Sequence, residues 1–156
     1  MMGRARAPLR LWPAKPADAE ELAKVAHASF HAAFASIMTE AGLRTRSLDF
    51  FRKKFADDWR VVLVALAGGQ IQGFSLVRDR HIEMLFVAPE AQGRGVGFAL
   101  LGAAESQGAV SLECFAANHA ARAFYERAGW RQTRAYSREF AGEVYEFVLY
   151  SAPARM

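Results

Sequence analysis

The sequence has very little cysteine: Cys114 is the only one among 156 residues. A single cysteine excludes a disulfide framework within the chain, and we expect a protein of the reducing cytoplasm. Long hydrophobic runs are also missing. The longest clearly apolar run, residues 61–67, is far shorter than the roughly 20 residues that a transmembrane helix needs. These absences predict an ordinary globular protein without a membrane partner.

Two further absences concern metal binding and nucleic-acid binding. His27 and His31 have the i, i+4 spacing of helical metal ligands, but no His-Glu-x-x-His context surrounds them, so we expect no metal. The 20 basic and 16 acidic residues give a net charge of +4, yet the basic residues are dispersed. Without a basic patch interleaved with aromatic residues, this charge does not predict a nucleic-acid partner.

A glycine-rich loop is the most informative segment that is present. It connects a predicted strand, His81–Val87, to a predicted helix over residues 95–107, and Gly93, Gly95 and Gly97 occupy alternate positions in it. Glycine has no Cβ, and the first N–H groups of a helix have no intrahelical partner. An anion can therefore approach this backbone closely. The loop predicts a phosphate-containing ligand.

The spacing of the glycines in this loop distinguishes three kinds of phosphate-binding site. A Walker A loop requires a lysine, which this segment lacks. A dinucleotide fingerprint requires Gly-x-Gly-x-x-Gly, but the third glycine position, counted from Gly93, is Phe98. The remaining pattern is Gln-x-x-Gly-x-Gly, at Gln92, Gly95 and Gly97. It resembles the pyrophosphate loop of the GCN5-related N-acetyltransferases, the GNAT superfamily.

A second motif lies downstream, over residues 118–130. Asn118 is a good N-cap, and Gly129 suits the position after a helix. Between them, the i, i+3, i+4, i+7 spacing of one helical face selects Ala121, Phe124, Tyr125 and Ala128. An amphipathic helix accounts for that stripe alone. The order Asn, then Phe-Tyr-Glu-Arg, then Gly and an aromatic residue is similar to the other GNAT signature.

The resemblance implies a mixed α/β (α+β) fold. Its central sheet is mostly antiparallel, with six to seven strands and four helices, and the strands are splayed at the cofactor site. Residues 1–156 are expected to form one domain. The strands predicted from the sequence are 9–12, 60–67, Gln70–Arg78, His81–Val87, 109–115, Arg131–Phe140 and 144–150. The predicted helices are 17–34, 45–55, 95–107 and one that starts at residue 118, with a mobile loop at 39–44.

By the same resemblance, the cosubstrate is acetyl-coenzyme A. The backbone of Leu85, Phe86 and Val87 is expected to pair with the pantetheine arm, and residues 92–98 to wrap the pyrophosphate. Arg122 and Arg127 are further candidates for phosphate contacts, with a solvent-facing role as the alternative. The implied cofactor-binding residues are Leu85, Phe86, Val87, Gln92, Gly93, Arg94, Gly95, Val96, Gly97, Phe98, Asn118, Ala121 and Tyr125.

Three residues are candidates for catalysis. Tyr125 matches the family's tyrosine near the cofactor sulfur, and a phenol with a pKa of about 10 stays protonated at neutral pH and can donate to the departing thiolate. The general base is open between Glu83 and Glu113, since both positions hold the base in different family members, and His81 is a weaker candidate. We expect Cys114 to be a buried structural thiol rather than an acetyl carrier.

The predicted activity is acetyl transfer from acetyl-coenzyme A to a primary amine by direct attack in a ternary complex. The acceptor is open between a small molecule, a lysine side chain and a protein N-terminus, because acceptor specificity lies outside both motifs. Its wall is expected from residues 31–55 and, opposite, from Tyr136, Tyr145 and Phe147. The alternative function is a non-catalytic acyl-coenzyme A-binding regulatory or partner-binding module. A homodimer through the apolar C-terminal strands is also open.

Overall fold

The computed structural model describes residues 7–154, which contain one seven-stranded sheet. In chain order the strands are β1 (Arg10–Pro13), β2 (Val62–Ala67), β3 (Gln70–Arg78), β4 (His81–Val87), β5 (Ser111–Phe115), β6 (Arg131–Phe140) and β7 (Glu143–Ser151). Their order across the sheet is β1-β2-β3-β4-β5-β7-β6. Every neighbouring pair is antiparallel except β4 and β5, which are parallel. The predicted mixed, mostly antiparallel fold is therefore confirmed.

Five α-helices lie in the described part of the chain, and four of them are long, as predicted. They are α1 (Ala19–Phe34), α2 (Glu40–Thr45), α3 (Leu48–Asp58), α4 (Val96–Ser106) and α5 (His119–Arg127). Among residues 7–154, none of the helices has the length and apolar character needed to cross a membrane.

The prediction of a loop at residues 39–44 is wrong, because most of this segment forms α2. Thr39 caps this helix: its Oγ1 accepts a 3.0 Å hydrogen bond from the N–H of Gly42. Ser47 caps α3 in the same way, accepting a 3.1 Å bond from the N–H of Phe50. The second cap moves the start of the helix predicted at residue 45 to Leu48. Hydroxyl caps satisfy the free N–H groups of a helix start, and they define α2 despite its length of only 6 residues.

The helices cover both faces of the sheet. Side chains of a strand point alternately to the two faces, and β4 shows this directly. Phe86 packs in the cluster formed with α1 and α3, whereas Leu85 and Val87 pack with Leu100 of α4. Strand β4 therefore runs through the middle of the molecule, between two helical layers.

An irregularity in β4 opens the sheet. The register between β3 and β4 shifts between Ile82 and Met84, so Glu83 is an extra residue, a β-bulge. The parallel pairing of β4 with β5 ends at Ile82, opposite Leu112. Beyond this point the two strands separate. Residues 83–87 have no strand partner on that side, which is the splay that the sequence resemblance implied.

Candidate active site

A cavity of about 1040 Å³ lies where β4 and β5 separate. Its walls include Leu85, Phe86 and Val87 on β4 and, across the gap, Glu113 and Cys114 on β5. The other edge of β5 is paired with β7, and the other edge of β4 with β3. Backbone N–H and C=O groups on the two edges that face the gap can thus pair with an extended ligand in the manner of an added strand.

The N-terminus of α4 adjoins this cavity. Gly95, at the N-cap, has a φ of +80°, and Gly93 has a φ of +77°, a backbone region that favours glycine. No side chain caps the helix, and its first turn contains no acidic residue. Its free N–H groups are available to an anion, which the helix dipole also attracts. The cavity-lining residues of this segment are Gln92, Gly93, Gly95, Val96, Gly97 and Phe98.

The arginines differ in their placement. Arg94 is exposed and does not line the cavity, although the sequence placed it among the pyrophosphate-binding residues. Arg122 is held within the fold, where it donates hydrogen bonds to the Ala116 carbonyl (3.0 Å) and to Gln132 (3.0 Å). Arg127 lines the cavity and is exposed to solvent.

Helix α5 supplies the side wall. Asn118 caps it, since its Oδ1 accepts a 3.2 Å bond from the N–H of Ala121, and both residues line the cavity. The rings of Phe124 and Phe98 contact each other with centroids 4.8 Å apart. This contact joins the start of α4 to α5 beside the cavity.

Tyr125 lines the cavity from the buried face of α5. Within residues 7–154 the Tyr125 hydroxyl makes no hydrogen bond. In that range the only fully buried side-chain oxygen without a hydrogen-bond partner is that of Ser75, so the Tyr125 hydroxyl is not fully buried. Burial, together with the nearby Cys114, raises the pKa of Tyr125 well above its usual value. The hydroxyl therefore keeps its proton and has a free direction for donating it.

Glu83 and Glu113 both line the cavity, but their surroundings differ. Glu83 occupies the bulge. Its Oε1 accepts a 2.9 Å bond from Arg78, and its Oε2 has a loose ionic contact, 3.9 Å, with Lys54. The carboxylate of Glu83 thus retains an oxygen without a close donor among the described residues.

Glu113 is held tightly instead. Its carboxylate accepts hydrogen bonds from the Tyr136 hydroxyl and from both sides of the Arg138 guanidinium, including a 2.9 Å bond from Nε. Burial by itself raises the pKa of Glu113, but these charge-assisted bonds outweigh it and lower the pKa below the usual value. Both oxygens are engaged, so the geometry favours a structural ion pair.

The remaining walls are aromatic. Phe147 lines the cavity, as expected, whereas Tyr136 and Tyr145 do not. The expected segment 31–55 contributes Ala32, Ala33, Phe34, Arg46, Phe50, Phe51 and Lys54. Sequence reasoning missed Phe30, Arg138 and Phe140. The period-two alternation of β6 would have found the last two, since they share a face with Tyr136. No sequence pattern singled out Arg46.

His27 and His31 make contacts within the fold. The rings of His27 and His31 lie 4.3 Å apart, and Nε2 of His31 is 2.8 Å from the carbonyl oxygen of Arg46. Among residues 7–154, no group of three or more His, Cys, Asp or Glu residues could hold a metal ion.

Solved structures with this fold include several that share most of their length with the chain. The apo form of YjaB from Escherichia coli, studied in solution, is 24% identical with a TM-score of 0.80, covering 94% of this chain and 99% of that one. PaiA N-acetyltransferase from Thermoplasma acidophilum, in complex with coenzyme A, is 16% identical with a TM-score of 0.73, covering 93% and 99%. YncA from Salmonella typhimurium, with its cofactor acetyl-CoA, is 18% identical with a TM-score of 0.69, covering 96% of each chain.

Sequence comparison gives the family. No curated protein sequence matches the chain significantly. A family model described as an acetyltransferase (GNAT) domain matches residues 21–149, which include both motifs and every strand from β2 to β6. Since this match covers most of the chain, the protein belongs to the GNAT acetyltransferase family.

Proposed function

We propose that this protein transfers the acetyl group of acetyl-coenzyme A to a primary amine, and that residues 1–156 act as one catalytic domain. The observation that carries the proposal is the gap between β4 and β5, which adjoins the uncapped N-terminus of α4. Coenzyme A combines an extended arm containing amide groups with a pyrophosphate, and the two features match the two parts of the site. Structures of this fold with bound coenzyme A and acetyl-CoA support the assignment.

The cosubstrate is held mainly by backbone. In this proposal the pantetheine amides pair with Leu85, Phe86 and Val87, whose edge toward β5 is free. The pyrophosphate lies against the first N–H groups of α4, where Gly93 and Gly95 allow close approach. Asn118 and Ala121 close the side of the arm from α5. Arg94 contributes positive charge near the loop without lining the cavity.

The chemical step needs a group that stabilises the oxyanion, a proton donor for the leaving thiolate and a base for the amine. A backbone N–H of β4 at the gap polarises the thioester carbonyl and stabilises the oxyanion that forms when the amine attacks its carbon. The tetrahedral intermediate collapses by breaking the carbon–sulfur bond, and the thiolate accepts the proton of the Tyr125 hydroxyl. Burial raises the pKa of Tyr125, so the phenol is protonated before the reaction, as a proton donor must be.

The base that takes a proton from the amine is assigned to Glu83. Both oxygens of Glu113 are occupied by Arg138 and Tyr136, and a carboxylate with a lowered pKa is a weaker base. Glu83 keeps one oxygen with no close donor, at the bulge where the strands part. It removes the amine proton directly or through one water molecule.

The test is release of free thiol from acetyl-CoA in the presence of polyamines, aminoglycosides, amino acids or peptides with free N-termini. We expect release above the acceptor-free rate for at least one class, with the acetylated amine confirmed by mass spectrometry. Calorimetric titration with acetyl-CoA runs in parallel. Binding of acetyl-CoA without thiol release for any amine would overturn the proposal and favour a non-catalytic acyl-CoA-binding module.

A further inference from the structure

Arg46 is a cation that lines the cavity without a counterion. It follows α2 as the C-cap residue, and its guanidinium carbon lies 4.6 Å from the ring centroid of Phe50 and 4.7 Å from that of Phe140. Its only side-chain hydrogen bond to another described residue goes to Thr45 Oγ1, at 3.1 Å. Within residues 7–154, no carboxylate lies within 4.0 Å of it.

The other cations of the cavity wall are neutralised or solvated. Lys54 forms a 3.1 Å ion pair with Asp58, and Arg138 is bound to Glu113. Arg127 is exposed to solvent, whereas Arg46 is half-buried. Among the cavity-lining cations in the described range, Arg46 alone is both half-buried and without an ion pair.

Arg46 is half-buried and has no counterion among the described residues. Burial lowers the pKa of Arg46, because removing a charge from water has a free-energy cost. The guanidinium carbon lies over the rings of Phe50 and Phe140, which offsets part of this cost, and a guanidinium carries five N–H donors in its own plane. A planar anion that accepts a pair of those N–H groups would complete the interaction.

The surroundings of Arg46 limit the size of the acceptor. Helix α2 touches the β6–β7 hairpin: the N–H of Thr39 donates a 3.2 Å hydrogen bond to the Tyr145 hydroxyl. A Cβ at Gly42 would lie 3.6 Å from the carbonyl oxygen of Ala141 in the hairpin turn. The two segments that flank the acceptor end of the cavity therefore meet beside Arg46. This contact favours a small molecule over a long peptide.

We infer that the acceptor is a small primary amine that carries a carboxylate, and that Arg46 binds this carboxylate and determines specificity. The inference rests on the proposed function and names the substrate class of the same site. A carboxylate matches the single charge of Arg46, while a phosphate dianion would leave one negative charge uncompensated there. The aromatic side chains around Arg46 can contact the carbon skeleton of the amine.

The first experiment compares amines that differ only by the carboxylate. The pairs are phenylalanine and phenethylamine, lysine and cadaverine, and arginine and agmatine. Binding to the protein saturated with coenzyme A is measured by calorimetry, which needs no turnover. For at least one pair we expect the carboxylate form to bind about 10-fold more tightly or better, since the decarboxylated amine cannot form the charge-assisted pair with the half-buried Arg46. Absence of a preference in every pair, including absence of binding, overturns the inference.

The second experiment assigns the preference to Arg46. Arg46→Gln should remove the carboxylate preference and leave the affinity for the decarboxylated amine unchanged, and Arg46→Lys should restore part of it. Arg44→Gln is the matched control, because Arg44 is an exposed cation near the end of α2, two residues before Arg46, and does not line the cavity. A purely structural role would lower the unfolding temperature of Arg46→Gln and weaken both members of a pair equally, and this result contradicts the inference.

Failure of the inference differs from failure of the proposed function. Acetylation of amines with and without a carboxylate at equal kcat/KM would retain the acetyltransferase and remove the role of Arg46. Selective binding of the carboxylate form without thiol release would retain the Arg46 site and remove the acetyl transfer.

Discussion

Atom Cζ of Phe124 lies 3.2 Å from the position that a Cβ on Gly97 would occupy. Gly97 is in the first turn of α4 and Phe124 is in α5, so the missing side chain lets the two helices meet beside the cavity. The same position belongs to the N-terminus proposed to bind the pyrophosphate. The close packing of α4 against α5 thus depends on one glycine.

Gly97→Ala is expected to weaken coenzyme A binding. The new methyl group must displace the Phe124 ring by a few tenths of an ångström and narrows the approach to the helix N-terminus. We expect roughly a 10-fold increase in the Kd for coenzyme A, equal to about 1.4 kcal/mol, measured by calorimetry. Gly102→Ala is the matched control, since a Cβ at Gly102 of α4 meets nothing within 4 Å. That change should leave the Kd unchanged and stabilise the protein by about 0.5–1 kcal/mol. Equal Kd values for both variants would contradict the role of Gly97.

Tyr125→Phe is expected to slow turnover while preserving the fold. Loss of the proton donor should reduce kcat by about 100-fold, with a small change in the KM for acetyl-CoA. Since the hydroxyl has no hydrogen-bond partner in the described structure, its removal should change the unfolding temperature little.

Tyr150→Phe provides the comparison for Tyr125. Tyr150 is fully buried in the same cluster, but its hydroxyl accepts a 3.3 Å bond from Arg122 and it does not line the cavity. This variant should lose stability and keep kcat. Unchanged kcat in Tyr125→Phe would exclude Tyr125 from the mechanism.

Local patterns explain what the sequence predicted well. The predicted strands 60–67 and Gln70–Arg78 are separated only by Gly68 and Gly69, and these glycines adopt φ values of +60° and +76°, as a two-residue hairpin turn requires. The N-cap at Asn118 depends only on residues within one helical turn. Both features depend on residues that are close together in the chain, so they can be predicted from the sequence.

Features that depend on distant partners were not predictable in the same way. The family resemblance implied a splay, but the position of the bulge at Glu83 depends on how β4 pairs with β3. The ion pair of Glu113 with Arg138 joins β5 to β6, strands that are separated by β7 in the sheet. For this reason the sequence alone does not distinguish Glu83 from Glu113 as the candidate base, and only the tertiary contacts do so.

Glu83→Gln tests the assignment of the base. The amide keeps the shape of the side chain and its contact with Arg78 but cannot accept the amine proton. We expect kcat to fall by about 100-fold at neutral pH, with partial recovery at higher pH, where more of the amine is already deprotonated. A normal kcat at pH 7 would contradict the assignment.

Glu113→Gln is the corresponding control, and its effect should appear in stability. The folded-state pKa of Glu113 is depressed, so its contribution to stability is present above the unfolded-state pKa, near 4.5, and is lost as pH falls through the folded-state value. The variant should therefore be less stable than the wild type at pH 7, with the difference shrinking on acidification. If Glu113→Gln instead abolishes turnover in a protein of wild-type stability, Glu113 is the base.

Cys114 is expected to be unreactive at neutral pH and dispensable for catalysis. Burial raises the pKa of its thiol from 9.0 to about 12, although Arg122 opposes the shift. At pH 8 the thiolate fraction is then roughly 1000-fold lower than for an unperturbed thiol. The alkylation of Cys114 by iodoacetamide is measured by mass spectrometry, with N-acetylcysteine in the same reaction as the reference thiol. Cys114 should react more slowly than the reference by a similar factor, and its reaction should accelerate as pH rises toward 12.

Cys114→Ala should retain turnover, because direct attack by the amine needs no acetyl-cysteine intermediate. Fast alkylation at pH 8, together with loss of thiol release in Cys114→Ala, would replace the ternary-complex mechanism with a covalent one.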